Sequence, residues 1–445
     1  LSKATNKTQS LYKTIERKSF IIILGAGLSG LSYAYSALRK GSPVIILERG
    51  DEIGGLMRTF HFNGFLFDFG PHVFRSNNGK VLAFAKDLLC GNYHHVSSNP
   101  AIFKYGKVFD NVIPVITFRN IEGLPKDVRE KAERELRELR RPIKGLDLEN
   151  FETCIISQIG ETLYWEFFGE YSKKWWGVEP KKLSSDIAPK NLMIGCEKSY
   201  AHITTNFERP SEEIYPTRGG IFEIAKRLKE RLEVLGATIL TNSVVKALEY
   251  DGDEISKIVV ERAEEEVEIE ARGKLVVSTI PLTSLCNMLK VENDLTYRGD
   301  ICVFVKLKGA KMLEYSWMYF HDSNVVFSRV YEPLYYSKNN SPKGYTSLCI
   351  EVTCFENDVY WKDKYLGEKV VEQLTDLNIV KKSQEPEVLR LEKYAHAYPI
   401  YVVGYKERLE RVFSKLRPFK NLKVIGRTGA FSYLNMGECL KWALY

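Results

Sequence analysis

The stretch SFIIILGAGLSGLSYAYSALRKGSPVIILERG, residues 19–50, constrains the fold more than any other part of the chain. Two short apolar runs, Phe20 to Leu24 and Val44 to Leu47, have the unbroken hydrophobicity of strands buried on both faces. Between them lie a glycine turn and a helix-forming segment that ends near Gly41. The segment therefore reads as a βαβ unit, the crossover that joins parallel strands. In GAGLSG, Gly25 permits the tight turn, and Gly27 lets the backbone approach a diphosphate held at a helix N-terminus opened by Leu28 and Ser29. Gly30 lets helix and strand pack closely. Glu48, at the end of the second strand, stands where a carboxylate can accept hydrogen bonds from a ribose hydroxyl.

A chain of 445 residues with 44% hydrophobic and 27% charged side chains can bury a core shared by two or three units. It contains no run of eighteen apolar residues, and its opening lacks the apolar stretch of a signal peptide, so a cytoplasmic protein with no transmembrane segment is expected. Of the net charge of +7, residues 1–18 carry five basic and one acidic side chain, which leaves the body nearly balanced. That distribution argues against a nucleic-acid partner and leaves small anions open. The eight cysteines, Cys196 among them, show neither paired nor zinc-like spacing; buried free thiols are expected, and no metal.

Further along, ERGDEIGGLMRT supplies a second glycine pair, Gly54 and Gly55, with Arg58 close behind. This is more than a nicotinamide fold needs. Here the sequence resembles the FAD-containing amine-oxidase-like superfamily, in which this segment continues the grip on FAD. YPTRGGIFEIAKRL and VVSTIP are similar to its later cofactor-binding segments, and Val244 and Val245 would lie near the adenine end. The expected fold is α/β, a Rossmann-type FAD-binding domain with an inserted helical domain and an antiparallel β-sheet substrate domain. Its expected parts are a flexible basic arm (1–18), FAD-binding segments at 19–76, 208–299 and 391–445, a mainly helical insert at 77–207 and a β-sheet substrate domain at 300–390. Within the insert, PKDVREKAERELRELRR reads as a solvated helix face.

Four stretches resemble UDP-galactopyranose mutases. FGPHVFRSNN would place His72 near the flavin N5, and IGETLYWEFFGEYSKKWWGVEPKKL would supply Tyr171 and Trp176 as an aromatic platform. VVFSRVYE and AYPIY would supply Arg329 and Tyr398 to a diphosphate and substrate pocket. The terminal GRTGAFSYLNMG is similar to the family's G-R-x-G-x-x-x-Y-L-x-M segment and would bring Arg427 and Tyr433 to the diphosphate. The same resemblance adds Arg49, Gly426, Asn435 and Met436 to the cofactor site, and Lys190 to the substrate site. A nucleotide sugar needs such a set: aromatic surface for the base and fork-shaped cations for the diphosphate. Read from residue type alone, Trp176 also fits core packing, His72 a structural turn, Tyr398 a turn aromatic, and either arginine a buried carboxylate or carbonyl.

The resemblance implies a mutase interconverting UDP-galactopyranose and UDP-galactofuranose through a reduced-flavin N5–sugar adduct, with His72, Arg329 and Arg427 as its catalytic residues and NAD(P)H as the external reductant. The chain departs from the bacterial pattern in three places: Lys190 where an arginine is common, Asn435 where Asp is usual, and Gly437 where an acidic residue often stands. The alternative reading is an FAD oxidase of the amine or protoporphyrinogen type, which shares GFLFDFGP and WGVEP in similar form.

Overall fold

In the computed structural model, which describes residues 20–110, 121–138, 148–188 and 212–445, Ile21–Leu24 and Val44–Leu47 pair in parallel, as their continuous apolar character requires. Thr238–Leu240, Val276–Ser278 and Leu422–Val424 complete a five-stranded sheet. All four pairings are parallel. Alternate residues face opposite sides. Ile23, Val44 and Ile46 pack with Leu31 and Ala34 of the helix Leu28–Arg39 and with Leu228 of the helix Glu223–Val234. Ile22, Leu24 and Ile45 pack instead on a three-stranded antiparallel sheet, Val244–Asp251, Glu254–Arg262 and Glu265–Glu270, through Leu248, Ile258 and Val260.

A seven-stranded sheet forms the second layer, in the order Glu387–Pro399, Tyr297–Lys308, Tyr345–Cys354, Arg329–Tyr331, Met318–Phe320, Ala101–Lys104, Lys107–Asp110. Two expectations need correction here. The 77–207 insert, expected to be mainly helical, also contributes the hairpin Ala101–Lys104 and Lys107–Asp110 to this sheet. The sheet is not wholly antiparallel, because Met318–Phe320 runs parallel to Ala101–Lys104. The expected boundary at 390 falls inside the strand Glu387–Pro399, whose alternating residues pair with Tyr297–Lys308 on both sides of it.

The helical part of the insert runs from Phe151–Ile159 through Glu161–Tyr164 to Glu170–Trp176, with a π-turn at Trp165–Gly169. The charged helix Lys126–Glu138 buries only Ala132 and presents the solvated face expected of it. The basic arm, Cys196 and Lys190 lie outside the described residues. Cys90 corrects the expectation of buried thiols, since it is exposed where its helix ends; Cys286, Cys302, Cys349, Cys354 and Cys439 are buried.

One buried carboxylate fastens the hairpin Thr59–Asp68 to the segment that runs from Tyr215 to Ile221. Asp68, 2% exposed, accepts hydrogen bonds from Thr59 Oγ1 at 2.5 Å, Tyr215 Oη at 2.6 Å and the Ile221 amide at 3.1 Å. Burial pushes its carboxyl up to about 6 despite those three donors. The folded state therefore binds the extra proton between about pH 4 and 6, and this group costs stability as pH rises through that window. Asp68→Ala orphans buried Tyr215 and Thr59 donors, and is expected to cost on the order of 3–5 kcal/mol in urea unfolding at neutral pH. A loss below about 1 kcal/mol would contradict this role.

Candidate active site

The turn after Ile21–Leu24 is shaped by contact. A Cβ on Gly30 would sit 2.1 Å from the Gly25 carbonyl oxygen, whereas one on Gly27 would meet nothing within 4 Å. Gly30 is thus a packing glycine, and Gly27 faces open space. The helix Leu28–Arg39 begins with no side-chain cap, so its first amides are left for an anion. The second glycine pair lies alongside: Gly54 donates its amide to the Ala26 oxygen at 2.9 Å, and a Cβ on Gly55 would meet Gly27 Cα at 3.4 Å.

These glycines open onto a cavity of about 660 Å³. Glu48 lines it and also fastens the turn, accepting from the Ala26 amide at 2.7 Å and from Gly50 at 2.9 Å. Leu28, Ser29, Arg49, Arg58, Val244 and Val245 line the same end. Gly30 and Gly426 do not line it; a Cβ on Gly426 would strike Ser29 Oγ at 2.8 Å, so its place is behind the wall. Arg58 lies 3.3 Å from Asp51 and 5.2 Å from the Phe60 ring centroid.

At the other end the cavity reaches His72, Arg329, Tyr398, Arg427 and Tyr433. Arg329 is held by Glu351: one terminal nitrogen donates to Oε1 at 2.6 Å and Nε donates to Oε2. Its other terminal nitrogen has no hydrogen-bond partner among the described residues, and the same guanidinium reaches Tyr398 Oη at 3.5 Å. Arg427 donates to the Ala397 oxygen twice at 3.2 Å and to the Leu434 oxygen at 2.7 Å. Three of its five N–H groups are thereby spent on carbonyls, which clamps the terminal loop to the strand Glu387–Pro399. Its Cζ lies 4.2 Å from the Tyr433 ring centroid, and Tyr433 stacks on Tyr398 at 5.9 Å. Burial, then the charges of Arg329 and Arg427, pull the His72 imidazole down to about 3. The ring is therefore neutral at neutral pH and carries no charge of its own.

The aromatic platform differs from the expected one. Tyr171 and Trp175, four residues apart, share a helix face, with ring centroids 5.8 Å apart. Trp176, five residues from Tyr171, is turned by about 140°. Trp175, not Trp176, covers Arg329, with its ring 5.0 Å from the guanidinium carbon. Trp176 packs edge-on to Tyr398 at 6.2 Å and against Tyr433. Neither Tyr171 nor Trp176 is part of the cavity lining; Tyr171 lies behind Tyr319, stacked on His321 at 4.4 Å. Trp317 and Tyr319 do line it, and sequence reading missed both. Their spacing in SWMYF, two residues apart on a strand, puts them on one face and was a usable signal.

The departures at the terminus have local causes. Asn435 lines the cavity and caps the helix Met436–Leu440: its Oδ1 accepts from the Glu438 amide at 3.0 Å, and Glu438 accepts from the Asn435 amide at 2.7 Å. Met436, next in sequence, also lines the cavity. A Cβ on Gly437 would lie 2.6 Å from the Arg75 oxygen, so no acidic side chain fits there without moving the backbone at Arg75.

A parallel sheet with an open glycine cradle, a carboxylate at the end of its second strand and a second glycine pair defines a dinucleotide-cofactor enzyme with its substrate end between two sheets. The chain belongs to the flavin containing amine oxidoreductase family, whose model matches residues 28–302. Among curated proteins it is 22% identical over 431 residues to a protein described as a probable UDP-galactopyranose mutase from Klebsiella pneumoniae, covering 95% of this chain and 92% of that one. Among solved structures it matches reduced UDP-galactopyranose mutase with a TM-score of 0.79, 23% identity and coverage of 95% and 93%. It also matches an Exiguobacterium protein provisionally named a protoporphyrinogen oxidase, with a TM-score of 0.72, 16% identity and coverage of 96% and 97%. These likenesses agree with the fold and family read from the sequence. FAD fits the cradle: uncapped helix amides and the bare Gly27 suit its diphosphate, and Glu48 its ribose. Among the described residues no helix is long and apolar enough to cross a membrane.

Proposed function

We propose that this enzyme is a flavin-dependent sugar-nucleotide mutase that interconverts UDP-galactopyranose and UDP-galactofuranose. The observation that carries the reading is the continuity of the cavity: the cradle for the cofactor diphosphate opens directly onto Arg329, Tyr398, Arg427 and Tyr433. The end-to-end likeness to UDP-galactopyranose mutases supports it.

When bound and reduced, FAD supplies a nucleophilic nitrogen that can hold the sugar carbon while the ring changes size, with no net oxidation; the natural reductant on this reading is NAD(P)H. The protein's own residues do the rest. Arg329, fixed by Glu351, offers its remaining N–H groups to the diphosphate, and Arg427 adds the two that its carbonyl clamp leaves over. The Tyr398 and Tyr433 hydroxyls donate to phosphate oxygens, and burial keeps Tyr398 protonated. Together they stabilise the leaving UDP and hold it for return. His72, neutral beside both arginines, packs the loop next to the flavin without adding charge.

The oxidase reading draws on the breadth of the family. A protonated amine would meet Arg329 and Arg427 at the substrate end, an unfavourable field for a cation. Oxidase activity predicts peroxide during turnover with amines or porphyrinogens; peroxide from either, with no affinity for UDP, would replace the mutase reading.

A further inference from the structure

Behind Arg329 the structure places two buried acids against one cation. Asp300 is on the strand Tyr297–Lys308 and Glu351 on its neighbour Tyr345–Cys354. Cys302 lies opposite Glu351 and Asp300 opposite Thr353, so the acids are diagonal neighbours on one face. Both are 1% exposed. Arg329 directs its Nε and one terminal nitrogen to Glu351. Among the described residues no side-chain donor is hydrogen-bonded to either oxygen of Asp300; the Glu351 carboxylate lies within hydrogen-bond reach, and the Ile301 amide approaches from the backbone.

The surrounding groups cannot supply the missing charge. Arg298, on the same strand as Asp300, directs Nε and one terminal nitrogen away from it, to the carbonyls of Lys174, Trp175 and Thr353. Tyr398, Tyr171, Cys302, Cys349 and Cys354 are held neutral by burial. Two acceptor-only carboxylates do not face each other in a dry site; one must carry a proton. Burial first, and then the Glu351 charge, push the Asp300 carboxyl well above the usual range.

We propose that Asp300 is a protonated positioning residue that donates to Glu351, so that Glu351 presents Arg329 to the cavity and an anion bound at Arg329 is taken up together with the proton on this pair. The identity of that anion as the diphosphate of a nucleotide sugar rests on the function proposed above; the proton on Asp300 does not. The sign follows from charge. An anion at Arg329 favours the protonated pair, so affinity is greatest when the pair holds its proton and falls as pH rises through the pair's upper titration step.

The test uses oxidised holoenzyme and UDP-galactopyranose, whose diphosphate diester does not titrate near neutrality. Wild-type affinity is expected to fall with rising pH by up to about tenfold per pH unit, the limit for one linked proton. Calorimetry in buffers of different ionisation enthalpy should show proton uptake on binding in the pH range of the pair's upper titration step and above, where the free enzyme has given up the proton. Asp300→Asn keeps a donor toward Glu351 but cannot ionise, so it should bind at every pH as the wild type does at its lowest, with no slope and no uptake. Infrared difference spectra, with no ligand present, should show a protonated-carboxyl band at neutral pH that Asp300→Asn removes. An equal slope in both proteins, or a band unchanged by the substitution, overturns the proposal. If wild type does not bind UDP-galactopyranose, the mutase reading fails, and the infrared band alone supports or overturns the proton on Asp300.

Discussion

Arg329→Ala is expected to lower affinity for UDP and UDP-galactopyranose by on the order of 10²- to 10³-fold while FAD stays bound. The size follows from removing one partner of a buried, hydrogen-bonded charge pair at a ligand contact, which costs about 2–5 kcal/mol. The flavin should survive, because the cofactor cradle is built by Gly25, Gly27, Glu48 and Gly54, none of which touches Arg329 in the hydrogen-bond network. Stability should fall as well, by about 3–5 kcal/mol, since Glu351 is left buried without its cation. Arg329→Lys should recover only part of the affinity, because an ammonium cannot hold Glu351 with two parallel bonds and still face the cavity. Titration followed by flavin absorbance checks both variants; UDP affinity unchanged in Arg329→Ala would remove Arg329 from the site.

Gly30→Ala is expected to yield protein with little or no flavin. The added Cβ would stand 2.1 Å from the Gly25 oxygen and 3.3 Å from Ile23, so the helix Leu28–Arg39 must move off its strand, and the diphosphate cradle moves with it. Such overpacking costs about 1–3 kcal/mol or more. Gly41→Ala is the matched control. Gly41 has φ +83 with nothing within 4 Å of a Cβ, so alanine there incurs about 1 kcal/mol of backbone strain and leaves the cradle in place. The ratio of flavin to protein absorbance separates the two; equal flavin content in both would contradict the cradle as described.

The βαβ unit was legible because each of its features has a single local cause: doubly buried strands, a turn only glycine can make, and a helix that must start there. The hairpin Ala101–Lys104 and Lys107–Asp110 was less legible. Its turn is Tyr105–Gly106, with φ +55 and +67, a geometry usually announced by Asn-Gly rather than by an aromatic. Its parallel pairing with Met318–Phe320, across more than two hundred residues, leaves no local trace.

The site shows the same division. The motif residues were found, but their partners were not: Glu351 behind Arg329, the Ala397 and Leu434 carbonyls under Arg427, and Trp175 in place of Trp176 over the guanidinium. Two of these had signals. A lone Glu in TSLCIEVTC and an Asp heading DICVFVKL are acids in otherwise apolar strands, and a buried acid calls for a cation or a proton. Helical phase likewise joins Tyr171 to Trp175 rather than to Trp176. The carbonyl clamp on Arg427 depends on tertiary folding alone.

The most direct test of the mutase reading is turnover as a function of flavin redox state. The purified flavoprotein is reduced anaerobically with dithionite, mixed with UDP-galactopyranose, and the sugar is followed by chromatography or NMR. UDP-galactofuranose formed by the reduced enzyme and not by the oxidised one is the expected result; no conversion by fully reduced enzyme that binds UDP-galactopyranose would contradict the account.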